Sequence, residues 1–296
     1  MKRNILVLFI LPAAFFMLQT ECIGQRPRKK SEQIGNNKES FLEKQWWIGM
    51  RGGINLTQAH PVEQYSVFSS TDQQQDSYKK EYKNYKPGAV AGIEVTFSYK
   101  FLSLSFQPAY KRHNFSYTNK YQWSNDSLKA SLSLEYIQEH KLDYLQFPLF
   151  LKVDFLSGSF KPFIQAGGFY STLIGAEKSV YTSGKDEASG GVEFEGTPVK
   201  MGVKDLFIRS NVGYVFGLGF NWNPGNVRII LDANYFRGTS NITDRAARYT
   251  NNQLAGSGDV LDDIKLRSYS INLACVFPMR YLLVNKATTG KKSDKE

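Results

Sequence analysis

The sequence predicts an all-β protein, an eight-stranded antiparallel transmembrane β-barrel with long extracellular loops and short periplasmic turns. Three observations carry this. Short runs keep one parity apolar and fill the other with glycine, serine, asparagine and charge, the period-2 signature of a sheet whose faces meet different surroundings. Eight such runs follow an amino terminus that reads as a secretory signal. The connections between them alternate, roughly 25–35 residues and then only a few. Long outer loops and short periplasmic turns give barrels this asymmetry, and a soluble domain rarely carries four long loops.

Lys2 and Arg3 form a basic start, Ile5–Leu18 an apolar stretch broken by Pro12, and Cys22-Ile23-Gly24 supplies small residues for cleavage before Gln25. Fourteen residues are short for a membrane helix, and Glu21 argues against a lipid anchor at Cys22. After cleavage Cys275 stands alone, so no intrachain disulfide is expected. The expected organisation is a signal peptide over 1–24, a periplasmic segment over 25–45, the barrel over 46–277 and a basic periplasmic tail over 278–296. An even strand count puts both ends on the periplasmic side.

The first strand is expected over Trp46–Thr57, with Trp46, Ile48, Met50, Ile54 and Leu56 facing lipid and Arg51 among the inward residues. The second, Gly88–Tyr99, sets Ala89, Ala91, Ile93, Val95 and Phe97 against Glu94, Thr96 and Ser98. A tight turn at Lys100 leads to the third, Leu102–Arg112, and the fourth covers Asp143–Phe155. Gly158-Ser159 turns the chain into the fifth, Lys161–Ile174. The sixth ends in Val212–Trp222, Asn223-Pro224-Gly225-Asn226 is a turn, and Val227–Gly238 is the seventh. The eighth, Ser268–Phe277, presents Tyr269, Ile271, Leu273, Cys275 and Phe277 on one parity. Aromatics near the short turns (Trp46, Tyr99, Phe101, Phe155, Trp222, Phe277, Tyr281) and near the loops (Tyr110, Tyr170, Tyr235, Tyr269) match two interfacial rings.

The formal charge is +10, of which the tails Gln25–Trp46 and Met279–Glu296 contribute +6. The basic balance belongs mostly to the ends and does not describe a nucleic-acid groove. Arg51, Glu94, Lys111, Lys152, Asp154, Arg209, Arg228, Asp232 and Arg237 are assigned to the inward parity, as a polar network with Glu94, Asp154 and Asp232 as acceptors. A buried charge must be paired or hydrated. Eight strands enclose room for side chains or one small ligand, so a filled interior is expected, with a narrow passive porin as the alternative.

His60, His113 and His140 fall in or beside the expected loops without metal-ligand spacing. No phosphate-binding glycine loop, paired-cysteine motif or hydrolase elbow is present. No catalytic residue, metal or cofactor is therefore expected, although a barrel-rim lipid-modifying enzyme stays as a further alternative. The loops are expected over about Gln58–Pro87, His113–Leu142, Gly175–Asp205 and Thr239–Ile264. Parts of the second could extend the strands past the membrane. The Tyr/Lys-rich stretch Tyr78–Lys86 reads as a recognition surface for a glycan or protein, or as a solvated loop. Expected partners are outer-membrane lipid or lipopolysaccharide and envelope proteins that meet the loops or basic tails; nucleic acid is not among them.

The segments Leu102–Tyr110 (LSLSFQPAY), Leu142–Phe155 (LDYLQFPLFLKVDF), Lys161–Tyr170 (KPFIQAGGFY), Val215–Phe220 (VFGLGF), Ile229–Phe236 (IILDANYF) and Tyr269–Phe277 resemble the PorT-like outer-membrane barrels of Bacteroidetes. That resemblance implies an outer-membrane barrel with periplasmic ends, no inherited catalytic residues, and for some members a link to type IX secretion or gliding. The long loops and the extension Pro278–Glu296 depart from the usual short form.

Overall fold

Side chains that alternate in character with period 2 leave strands as the main option. In the computed structural model they are Lys44–Glu63 (β1), Lys79–Tyr82 (β2), Lys86–Tyr99 (β3), Leu102–Phe106 (β4), Ala109–Asn125 (β5), Ala130–Asp154 (β6), Phe160–Asp186 (β7), Val192–Glu195 (β8), Val199–Gly202 (β9), Ser210–Trp222 (β10), Arg228–Gly238 (β11) and Asp263–Pro278 (β12), with a 3₁₀ turn at Lys204–Leu206. The structure describes residues 44–65, 79–83, 85–125, 130–187, 190–249 and 259–279. The expected signal peptide, the segment up to 43, Tyr281 and the rest of the basic tail lie outside the described residues.

The strands close into a ring of eight. β1 pairs with β3 on one side and β12 on the other. β3 pairs with both β4 and β5, which in turn pair with β6. The ring continues through β7, β10 and β11 back to β12, antiparallel throughout. The expected third strand is thus two pieces, β4 and β5, divided at Gln107-Pro108. Proline has no N–H to donate to the ladder. Its carbonyl still accepts from the Ile93 N–H (3.0 Å), so the break stays local.

Several inward glycines are fixed by close approach. A Cβ on Gly49 would overlap the Cys275 carbonyl and the Val276 backbone of β12. A Cβ on Gly217 would overlap the Asn234 side chain. A narrow ring holding large side chains elsewhere needs such positions empty.

The outer surface of the ring is apolar over one band. Met50, Ile54, Ile93, Leu104, Leu149, Leu151, Ile164, Phe216, Leu218, Ile271 and Leu273 are all exposed on it. Trp46, Tyr99, Phe101, Phe155, Phe160, Trp222 and Phe277 edge the short-turn end, and Tyr170 and Tyr269 the other. On β12 the band runs Tyr269–Phe277, nine residues, the length of a membrane-spanning strand at about 9–11 residues.

Beyond the tyrosines the pattern inverts. On β12 the outward positions become Arg267 and Lys265, while Leu266 and Ile264 turn inward and are buried. On β6 the outward Leu145 gives way to Asp143, Lys141 and Glu139, with Tyr144 and Leu142 buried inside. The wall is greasy outside where it meets lipid and greasy inside where it meets water. The second and third expected loops are accordingly largely strand. β5, β6 and β7 run on past the membrane to Asn125, from Ala130 and to Asp186, and β8 and β9 both add to β7.

Candidate functional site: the barrel interior and its outer cap

The interior is layered. At the periplasmic end Trp47, Phe163, Ile230, Ala274 and Val276 pack together. Arg228 lies 3.9 Å over the Trp47 ring and donates to the Asn223 side chain (2.9 Å) and Ser98 (3.3 Å). Asp154, half-buried nearby, accepts from Asn221 (3.1 Å).

Above this layer sits the ionic centre. Arg51 Nη2 donates to both Asp232 oxygens at 3.0 and 2.9 Å, and Nη1 reaches Glu94 at 3.4 Å. Glu94 also accepts from Lys152 Nζ (2.7 Å), Thr96 (3.0 Å) and Ser105 (3.2 Å). Asp232 takes further bonds from Asn272 (2.8 Å) and Asn234. Four strands of the ring contribute the charges: β1, β3, β6 and β11. Every carboxylate oxygen in this cluster has a donor, which is the condition for keeping ions away from water.

The next layer is aromatic. Phe150, Phe169, Val215 and Phe236 form a buried group, and the Lys111 ammonium sits 3.4 Å from the Phe236 ring centroid while donating to Ser268 (3.1 Å). A cavity of about 20 Å³ lies between this layer and Arg51, lined by Lys111, Gln107, Gln146 and Asn272 among others. It has room for about one water.

The outer end is closed by a true hydrophobic core. Phe115, Leu142, Tyr144, Leu173, Ile264 and Leu266 from the wall meet Val203, Leu206, Phe207, Ile242 and Leu261 from the connecting segments. Three aspartates tether the last connection to the wall. Asp259 accepts from Tyr117 (2.6 Å), Asn119 (3.2 Å) and Lys178, the last pair being fully buried. Asp262 accepts from the Tyr65 N–H (2.9 Å) and from Tyr82, and Asp263 from Arg245 (2.6 Å) and Arg248. Burial and Asp259 push the Tyr117 hydroxyl well above the ordinary range, and burial and Asp262 do the same to Tyr82. Both therefore stay neutral donors.

Of the nine residues assigned to the interior from sequence, Arg51, Glu94, Lys111, Lys152, Arg228 and Asp232 are buried there and Asp154 is half-buried. Two lie elsewhere. Arg237 is exposed, because it shares the parity of Tyr235 and so points outward. Arg209 precedes β10 and is exposed at the outer rim, where its carbonyl accepts from Leu173 N–H (2.7 Å). His113 and His140, expected in or beside loops, are interior wall residues. His113 Nδ1 is 2.9 Å from Thr57 Oγ1, and His140 stacks on Phe115 at 4.7 Å. Of Tyr78–Lys86, Tyr82 faces the cap and Tyr85 packs on Tyr269 at 5.6 Å; Tyr78 and Asn84 lie outside the described residues.

The apolar cap was missed from the sequence. Its signal is the parity switch, readable where Leu145 and Phe147 on one parity are preceded by Leu142 and Tyr144 on the other. Among the described residues no group of three or more His, Cys, Asp or Glu side chains is placed to hold a metal ion.

A closed ring with a lipid-facing band, interfacial aromatics and sheltered charges defines an outer-membrane β-barrel protein. The chain belongs to the outer membrane protein beta-barrel domain family, whose model matches residues 29–244, and its location is the outer membrane. Barrels of this kind meet lipid or lipopolysaccharide. No curated protein matches the chain significantly. Among solved structures it is similar to Neisserial surface protein A (11% identity, TM-score 0.30, 77% of this chain and 95% of that one). It is also similar to the attachment invasion locus protein Ail of Yersinia pestis, crystallised with the heparin analogue sucrose octasulfate (8%, 0.24, 79% and 99%). A third similarity is to the outer membrane protease OmpT of Escherichia coli (9%, 0.30, 81% and 99%).

Proposed function

We propose that the protein is a non-enzymatic, non-conducting envelope interaction component: a membrane-embedded barrel that holds an extracellular sheet for a partner. The observation that carries this reading is the closed bore. The Arg51 ionic centre, the aromatic layer and the apolar cap stack along one axis and fill it. A solute path is then unsupported, and the wall past the membrane is the part left to act. That part is built for contact, because β7, β8 and β9 carry Tyr181, Val192, Phe194 and Val199 exposed to solvent. Exposed apolar groups on a rigid sheet mark interaction surfaces.

Assignment to the PorT-like group, and with it a role in type IX secretion, is one version of this proposal and rests on the sequence segments quoted above. The same holds for a cleaved signal at 1–24 and periplasmic segments at 25–45 and 278–296. Two measurements test the reading. Purified protein in planar bilayers is expected to give no reproducible single-channel steps, and such steps would establish the porin alternative. Cross-linking in intact envelopes is expected to yield a partner adduct that disappears when residues 188–202 are replaced by a short glycine-serine link; an unchanged pattern would refute the extracellular sheet as the contact.

A further inference from the structure

Among the described residues, one sector of the outer rim carries charge without a paired anion. His60 on β1 stands opposite Lys265 on β12, and Arg267 on β12 stands opposite Arg237 on β11. All four point outward: His60 and Arg237 are exposed, and Lys265 and Arg267 are half-buried. Among the described residues none of them has an ion pair. One rung toward the membrane, Tyr269 and Tyr235 face each other with ring centroids 4.9 Å apart. Below them the surface is aliphatic, with Ile271 and Leu273.

Other sectors of the same rim are balanced. On β5 and β6 Arg112 pairs with Asp143 at 2.7 Å, and Lys86 reaches Glu139 at 2.5 Å. Like charges directly opposite one another on a sheet are destabilising. Holding three cations and a histidine together therefore costs the fold something, unless an anion sits among them. Burial with Arg267, Arg237 and Lys265 also holds the His60 imidazole below its ordinary range.

We propose that His60, Lys265, Arg267 and Arg237, with Tyr235 and Tyr269 beneath them, form a docking site for the phosphorylated headgroup of an outer-leaflet glycolipid. The height selects the ligand: the cations lie one step above the interfacial tyrosines, where such a headgroup sits when its acyl chains lie along Ile271 and Leu273. Charge selects a phosphate. Arg267 and Arg237 offer the forked donors that suit phosphate oxygens.

The test is native mass spectrometry of the full chain, purified from outer membranes into dodecyl maltoside, with added bisphosphorylated lipid A. Wild type is expected to retain the lipid, and dephosphorylated lipid A is not. Replacing Lys265, Arg267 and Arg237 together by Gln is expected to weaken retention about fivefold per cation, on the order of 100-fold for the three. Lys141→Gln, on a different sector, is expected to change nothing. Heat-dependent gel migration checks that the triple variant still folds. Equal retention by the triple variant, or of the dephosphorylated lipid, overturns the proposal. Displacement of the lipid by millimolar inorganic phosphate would mean that free phosphate is the ligand, and overturns it as well. A readout independent of the variant is the His60 ring in wild type, whose pKa is expected to rise with bisphosphorylated lipid A only; no rise contradicts the site.

Discussion

Replacing Asp232 by Leu removes the acceptor of two of the three Arg51 contacts and leaves the guanidinium with Glu94 at 3.4 Å. Glu94 is already engaged by Lys152 at 2.7 Å, so the orphaned charge gains no new acceptor. Breaking a buried pair from one side costs about 3–5 kcal/mol, because the surviving ion remains away from water. Arg51→Met is expected to cost a similar amount, leaving Asp232 with only Asn272 and Asn234 as donors. The double variant removes both charges, and apolar replacement of a whole buried pair is often near neutral. It should therefore be more stable than the sum of the singles predicts by about 2 kcal/mol or more. The assay is equilibrium urea unfolding from phospholipid vesicles, followed by tryptophan emission and by gel migration. Additivity within about 0.5 kcal/mol would refute the coupling and with it the ionic centre.

Three further outcomes follow from the layered wall. Leu218→Lys places a charge on the lipid band and is expected to cost about 2–4 kcal/mol in the same unfolding assay; an unchanged urea midpoint would contradict the band. Gly49→Ala forces a methyl against the Cys275 carbonyl; a loss of about 1–3 kcal/mol is expected, and an unchanged urea midpoint would contradict the close approach. His60 binds its proton more weakly folded than unfolded, since its pKa lies below 6.5. Its contribution to stability is thus complete above that value and falls as pH drops below it. NMR titration of the ring, with His60→Gln removing the acid-side loss, checks the sign.

The ring was legible because each membrane strand is a short, strict alternation. Tyr269–Phe277 and Trp46–Leu56 announce their faces without help from neighbours. The ionic centre was legible in part for the same reason: Arg51, Glu94, Lys152 and Asp232 are polar on an otherwise glycine-and-serine parity. Their pairing was not, since β1 and β11 meet only through closure of the ring. Arg237 shows how narrow the margin is, because one step of parity separates the interior from the rim. The cap was hidden by a change of solvent. Past the tyrosines the apolar residues of β6 and β12 move to the other parity, so a single repeating template ends at the membrane edge and the remainder reads as loop. Asp259, Asp262 and Asp263 gave no signal, since their partners lie on β2, β5 and β7 and in the segments after β1 and β11.

The barrel depends on which solvent each face of its wall meets. Nitroxide labels placed singly at 265 through 277 of the folded protein in vesicles would measure this directly by collision with oxygen and with a water-soluble nickel chelate. Oxygen contact is expected to peak at 269, 271, 273, 275 and 277, and chelate contact at 265 and 267. Chelate contact at 271 and 273, or no alternation along the strand, would contradict a greasy outer face in lipid and a reversal of that face above it.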